Sequence, residues 1–210
     1  MSNELKFILM ADIISSRKHD QKQLMQDFKE LVEQVNSENA TLLLSPMTIT
    51  IGDEFQSVVR NLSAAIIIIF AIEEKIATKQ MGFKLRYVLT EGRIDTPINK
   101  QIAYGMLGEG LTQARASLQM AKAKKERFLF QVKKPTLSKA LNDSFVIYQS
   151  LVDAWKISKD YELISEFLEL RDYKSVAAEL GKTRSQIWKR QKSLRISEYI
   201  AIKEVIHYIT

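Results

Sequence analysis

Residues Leu42 to Val59 read LLLSPMTITIGDEFQSVV. Met47, Ile49 and Ile51 alternate with Thr48 and Thr50, Gly52-Asp53 supplies turn chemistry, and Phe55 to Val59 resumes an apolar run. The stretch is therefore a hairpin with Asp53 and Glu54 at its tip. Working outward, Leu5 to Ala11 is apolar on both faces apart from Lys6, as in a central strand covered on each side, and it stops at Asp12. Asp20 followed by Gln23 has the form of a capping box, and Leu24, Phe28, Leu31, Val32 and Val35 predict a helix from about Gln21 to Asn36. Downstream, Ser63 is the expected cap of a helix reaching about Lys79, with the β-branched run Ile66 to Ile69 held by burial rather than propensity. A strand over Phe83–Leu89, a helix over Leu111–Lys122 and a strand over Arg127–Val132 follow. The order β-α-β-β-α-β plus one further helix and strand predicts an α+β fold with a ferredoxin-like, split β-α-β sheet.

After Lys133-Lys134-Pro135 no strand signal survives and the pattern is helical to the end. The expected division is 1–134 for the sheet-bearing domain and 135–210 for an all-α domain. Apolar residues at 46% and charged residues at 27% suit a globular chain with a real core. With no cysteine in the sequence, disulfides, thiolate zinc sites and cysteine nucleophiles are excluded, and a reducing, cytoplasmic setting is expected. Two histidines far apart, His19 and His207, argue against a histidine-rich metal cluster. The opening MSNELKFILMAD lacks the basic region of a signal peptide, and the longest apolar block, Ala64 to Ile72, is too short to span a bilayer, so no membrane partner is expected.

The net charge is +6, and it is local. Gly181 to Arg195, GKTRSQIWKRQKSLR, holds six basic residues and no acidic one, which leaves the rest of the chain neutral. The surrounding YKSVAAELGKTRSQIWKRQK, Tyr173 to Lys192, places Val176, Ala177 and Leu180 inward on one helix, a turn at Gly181, and Ile187 inward on the next. This is the spacing of a helix-turn-helix. Any three-helix bundle could show the same spacing, but the second helix would expose side chains suited to phosphates and base edges: Lys182, Arg184, Ser185, Gln186, Lys189, Arg190 and Lys192. DNA is the expected partner, and a homodimer reading two half-sites is the expected form. Trp188 is readable either as bundle core or as contact.

At the other end of the chain, Asp12 at a strand end and Asp53 and Glu54 on a neighbouring hairpin could hold Mg²⁺ or Mn²⁺ against a triphosphate, since hard cations take oxygen ligands. Aspartate also ends many strands, and Gly-Asp is a common turn. ADIISSRK (Ala11–Lys18), TITIGDEFQSVV (Thr48–Val59), Arg86 and ARASLQMAK (Ala114–Lys122) together resemble the SatD family of bacterial proteins. The resemblance implies a palm-like N-terminal domain similar to those of nucleotidyl and diguanylate cyclases, and a C-terminal helix-turn-helix. It also implies Asp12 and Asp53 as metal ligands with Glu54 as a secondary candidate, and Ser15, Ser16 and Arg17 where phosphates would be cradled.

Three functions follow as expectations. The first is a DNA-binding, transcriptional-regulator-like protein whose palm-like domain senses a nucleotide or dimerises. The second is a metal-dependent nucleotidyltransferase or cyclase, and the third a non-catalytic interaction protein.

Overall fold

The computed structural model describes residues 4–18 and 20–210, so His19 lies outside them. Strands β1 (Lys6–Ile13), β2 (Leu43–Ile51), β3 (Glu54–Val59), β4 (Leu85–Gly92) and β5 (Phe128–Gln131) form one sheet in the order β2-β3-β1-β4-β5. Strand β3 lies between β1 and β2 and is antiparallel to both. Strand β4 is antiparallel to β1 on its other side, and β5 joins β4 in parallel. Helices α1 (Gln21–Glu38) and α2 (Leu62–Thr78) connect the first four strands, and α3 (Glu109–Lys124) makes the crossover to β5. Five helices follow: α4 (Pro135–Val152), α5 (Ile157–Leu170), α6 (Tyr173–Glu179), α7 (Arg184–Ser193) and α8 (Ile196–Tyr208). The fold is a mixed α+β arrangement around a five-stranded sheet.

Alternation along the strands sends side chains to two cores. Leu9, Ala11, Phe55, Val59, Tyr87 and Leu89 join Phe28 of α1 and Ile66, Ile68, Ile69, Ile72 and Ile76 of α2 in the larger one. Ile8, Met10, Val58 and Val88 face the other way and pack under Leu111, Ala114, Leu118 and Ala121 of α3. Helix α3 sits close because two glycines cross: a Cβ on Gly92 would lie 2.5 Å from the Cα of Gly110. No side chain fits between β4 and the first turn of α3.

Several element ends differ from the sequence reading, each for a local reason. Strand β1 runs through Asp12 to Ile13, because that stretch is paired on both edges. Glu54 belongs to β3, not to the turn, which Gly52 (φ +34°) and Asp53 make alone. The cap of α2 is Asn61, whose side chain accepts from the Ala64 N–H at 2.8 Å, and Ser63 falls inside the first turn. Asp20 caps α1 through the Gln23 N–H at 2.8 Å, while the Gln23 amide turns to Asp27, so only half of the capping box forms.

Strands end at β5, but the core does not divide there. Pro135 is the first residue of α4, a position that suits proline because no helical N–H is lost. Asn142 of α4 accepts from the Phe130 N–H (2.9 Å) and donates to the Phe130 carbonyl (2.9 Å), covering the open edge of β5 as a strand would. Phe145 and Tyr148 then stack among Phe70, Phe128 and Tyr199, joining α2, β5, α4 and α8 in one aromatic cluster. The isoleucine-rich α2 is buried nearly all round because α1 and the sheet lie on one side and α5 and α8 on the other. Among the described residues no helix is long and apolar enough to cross a membrane.

Candidate functional site

At the C-terminal end of β1 the chain is clamped between two neighbours. The Ile13 N–H donates to the Asp53 carbonyl and the Ile14 N–H to the Lys84 carbonyl, both at 2.9 Å. Ser15 then takes a left-handed conformation (φ +59°), and Ser16–Lys18 forms a single 3₁₀ turn before α1. Below this loop opens a cleft of ≈ 1080 Å³, bounded by the loop, the hairpin tip at Gly52 and Asp53, the end of α3 and the end of α4.

The cleft is electropositive. Arg17 and Lys18 lie on the loop and Lys122 and Lys125 at the end of α3, with Lys84, Arg86 and Arg127 on the floor. Against these seven cations its lining holds two carboxylates, Asp53 and Asp153. Arg17, Lys18 and Lys125 make no ion pair among the described residues. The other four are ion-paired, Arg86 and Lys122 to Asp12, Lys84 to Asp153, and Arg127 to Glu73 and Asp153, so the positive charge open to an anion such as phosphate rests on the first three.

The sequence-predicted carboxylates stand beside this cleft, and two of them are occupied. Asp12 and Glu54 are direct cross-strand partners, on the α3 face of the sheet. Arg86, opposite Asp12 on the other strand, donates from Nη1 to both Asp12 oxygens at 2.8 and 2.9 Å, and its Nε donates to the Glu126 carbonyl at 2.9 Å. Lys122 adds a cation 3.7 Å from Asp12. Glu54 is held by Arg115 at 2.6 Å and by the Thr50 hydroxyl at 3.2 Å. Burial pushes both carboxyls above the ordinary range, opposed by Arg86 and Lys122 at Asp12 and by Arg115 and Thr50 at Glu54. Asp53 alone opens into the cleft.

This donor set does not fit a divalent ion shared by Asp12 and Asp53. A metal at Asp12 would have to displace a buried guanidinium that is fixed at both ends. Among the described residues no group of three His, Cys, Asp or Glu side chains could hold a metal ion.

The sequence reading found Ser15, Ser16 and Arg17 on the cleft rim but missed Lys84, Lys125, Arg127 and Asp153. Lys125 and Arg127 lie in KAKKER, a basic run that reads equally well as charges complementing the C-terminal dipole of α3. Asp153 ends α4 and reaches back to Lys84 (2.8 Å) and Arg127 (2.6 Å), a contact across the fold that no local pattern signals.

The second candidate surface is the α6–α7 pair. Val176, Ala177 and Ile187 are buried between the helices, and Gly181 turns the chain at φ +60°. Thr183 and Gln186 form a complete capping box at the start of α7. Lys182, Arg184, Ser185, Lys189 and Lys192 are exposed, and Trp188 is 47% exposed, so its ring is not part of the core. Gln186 is exposed but its carbonyl oxygen is held by Thr183, and Arg190 is turned onto Asp160 at 2.5 Å. These two are fixed by the fold rather than open.

The model of the SatD family matches residues 7–209. The chain belongs to the SatD family. No protein of curated function matches this family member. Solved structures similar to the SatD chain include a bacterial light-regulated adenylyl cyclase, at 14% identity and TM-score 0.43, covering 60% of this chain and 75% of that one. Another is the catalytic core of a rhodopsin-guanylyl cyclase with converted specificity in complex with ATPalphaS, at 16% identity and TM-score 0.40, covering 57% and 76%.

Proposed function

We propose that this SatD-family chain binds a nucleotide by its phosphates in the cleft at the end of β1, and that α6 and α7 are a helix-turn-helix that binds DNA. On this reading residues 1–134 are a ferredoxin-like, palm-like nucleotide domain and 135–210 the DNA-binding part of a homodimeric regulator. The observation that carries the nucleotide assignment is the set of cleft cations Arg17, Lys18 and Lys125, which make no ion pair among the described residues. Ser15 and Ser16 supply hydroxyls on the same rim, as a phosphate cradle requires.

The DNA assignment is supported by exposed residues of α7, Arg184, Ser185, Lys189 and Lys192, and by Lys182 in the turn before it, with no acid among them. A path of hydrogen bonds supports coupling between the two proposed sites. Asp153 lines the cleft, and two residues later the Trp155 indole N–H donates to the Leu194 carbonyl at 3.0 Å, where α7 ends. Asp160, from the next turn, holds Arg190 of α7. A phosphate that draws Lys84 away would loosen one of the two contacts that hold Asp153, and the segment that anchors α7 would feel it.

The assignment is tested by fluorescence anisotropy with labelled ATP and GTP on the intact protein and on Arg17→Ala/Lys125→Ala. Each charge-assisted contact contributes about 1.5–3 kcal/mol, so the double variant should bind at least tenfold more weakly. Equal affinity would remove the cleft as the site. A cyclase-like, metal-dependent enzyme is the second reading; Asp53, which lines the cleft, is the carboxylate that favours it, and it requires Arg86 to leave Asp12. A cyclic nucleotide product from ATP or GTP with Mn²⁺ would establish it.

A further inference from the structure

A triphosphate is usually delivered to carboxylates through a divalent ion that neutralises both sides. Here the carboxylates are already neutralised by arginines, and the cleft offers the ligand positive charge directly. We propose that the cleft binds its nucleoside polyphosphate free of metal, with protein cations in the role a bridging Mg²⁺ would otherwise fill. The proposal rests on the nucleotide-binding reading and adds to it the charge state of the ligand.

Three observations carry it. The Asp12 and Arg86 side chains are 5% and 8% exposed, so withdrawing Arg86 to admit a metal would strand a buried cation next to a dication, a cost far larger than that of moving a surface lysine. Glu54, 8% exposed, is likewise taken by Arg115, which descends from α3 and is seated there by the glycine crossing of β4 and α3. Finally, the three lining cations without an ion pair among the described residues, Arg17, Lys18 and Lys125, suit a free triphosphate, near −4 in charge, better than its magnesium complex, near −2. Asp53 becomes a repulsive neighbour of the phosphates under this arrangement, whereas in a metal site it would be a ligand.

That difference in sign makes the proposal testable. Isothermal titration with ATP, GTP and inorganic tripolyphosphate is run on the full chain in EDTA and in excess Mg²⁺, with the wild type and with Asp53→Asn, a near-isosteric change at a half-buried turn residue whose backbone carbonyl, not its side chain, holds the Ile13 N–H. The expected result is a Kd in EDTA equal to or lower than that in Mg²⁺, with Asp53→Asn tightening binding in EDTA. Tightening by Mg²⁺ of more than about threefold, or loss of binding in Asp53→Asn, overturns metal-free binding and leaves the nucleotide reading standing, since roughly threefold is already 0.6–0.7 kcal/mol of metal contribution. No binding of any of the three ligands in either buffer overturns the nucleotide reading itself. Tripolyphosphate binding as tightly as ATP would place recognition in the phosphates alone and supports the proposal.

Discussion

Arg127→Met tests whether the helical part is locked to the sheet by charge. Arg127 and Glu73 are 5% and 7% exposed and form a direct ion pair between the start of β5 and α2, and the Tyr87 hydroxyl donates to the same carboxylate at 2.7 Å. The guanidinium also reaches Asp153 of α4 at 2.6 Å and the Leu85 carbonyl at 3.0 Å. Burial pulls the arginine pKa down, but Glu73 and Asp153 outweigh it, so the residue is charged at every accessible pH. Removing it leaves Glu73 buried without its counter-ion, which costs about 3–5 kcal/mol. For a chain of this length each kcal/mol lowers Tm by about 2–4 °C, so the variant should melt roughly 6–20 °C lower. Glu73→Gln/Arg127→Met removes both charges and should recover a large part of the loss, because the amide still accepts from Tyr87. The assay is thermal and urea unfolding of wild type, both single variants and the double variant. A cost below about 1 kcal/mol for Arg127→Met, or strict additivity in the cycle, would mean the pair is hydrated and the argument from burial is wrong. Wild-type unfolding is expected as a single transition by every probe, since one aromatic cluster spans α2, β5, α4 and α8.

Gly92→Ala should destabilise by about 1–3 kcal/mol or more, since the added Cβ meets the Gly110 backbone; unchanged urea midpoints would refute the close crossing. DNA affinity should fall with log salt at about −0.9 per phosphate contact, and Arg184→Ala/Lys189→Ala should lower that slope; a slope near zero in the wild type would reduce the basic face of α7 to a solvated surface. Trp155→Phe leaves the buried Leu194 carbonyl without its donor and should cost about 1–3 kcal/mol, with weaker coupling between nucleotide and DNA binding; coupling at the wild-type level would exclude the path through this residue. Burial, and after it the Lys203 charge, lower the His207 pKa, with Glu74 opposing them. The native state therefore favours neutral imidazole, and its stability contribution is present above the ordinary histidine pKa and lost as pH falls through and below it. Between pH 7 and pH 5.5, the fall in Tm should be smaller for His207→Gln than for wild type; identical falls would show that the imidazole stays fully hydrated.

The parts of the fold legible in the sequence are those where one residue's neighbours in the chain decide its conformation. Gly52-Asp53 forces the hairpin, the Leu24, Phe28, Leu31, Val35 spacing forces an amphipathic α1, and Gly181 with Thr183 forces the turn into a capped α7. Contacts between distant segments were not legible. Nothing beside Asp12 in the sequence announces Arg86, which is 74 positions later and meets it only because β4 pairs with β1 in a register that sets the two opposite. Nor does anything in α4 announce that Asn142 will seal the edge of β5. The Asn61 cap could have been found, since an asparagine before LSAA competes with Ser63 as a cap and precedes it.

The carboxylates show why residue type and spacing underdetermine a site. Asp12, Asp53 and Glu54 are the residue types a divalent ion needs, and the topology brings their strands together. What a carboxylate does there depends on its partners, and those come from β4 and α3, which carry Arg86 and Arg115. A carboxylate whose lone pairs are filled by a buried guanidinium stabilises the sheet end and sets the floor of the cleft. On the proposed reading, anion binding then falls to Arg17, Lys18 and Lys125, which make no ion pair among the described residues. The distribution of partnered and unpartnered charge, rather than the inventory of acids, therefore carries the functional reading, and it explains why Asp53→Asn is the change whose sign separates a metal site from a cation-lined one.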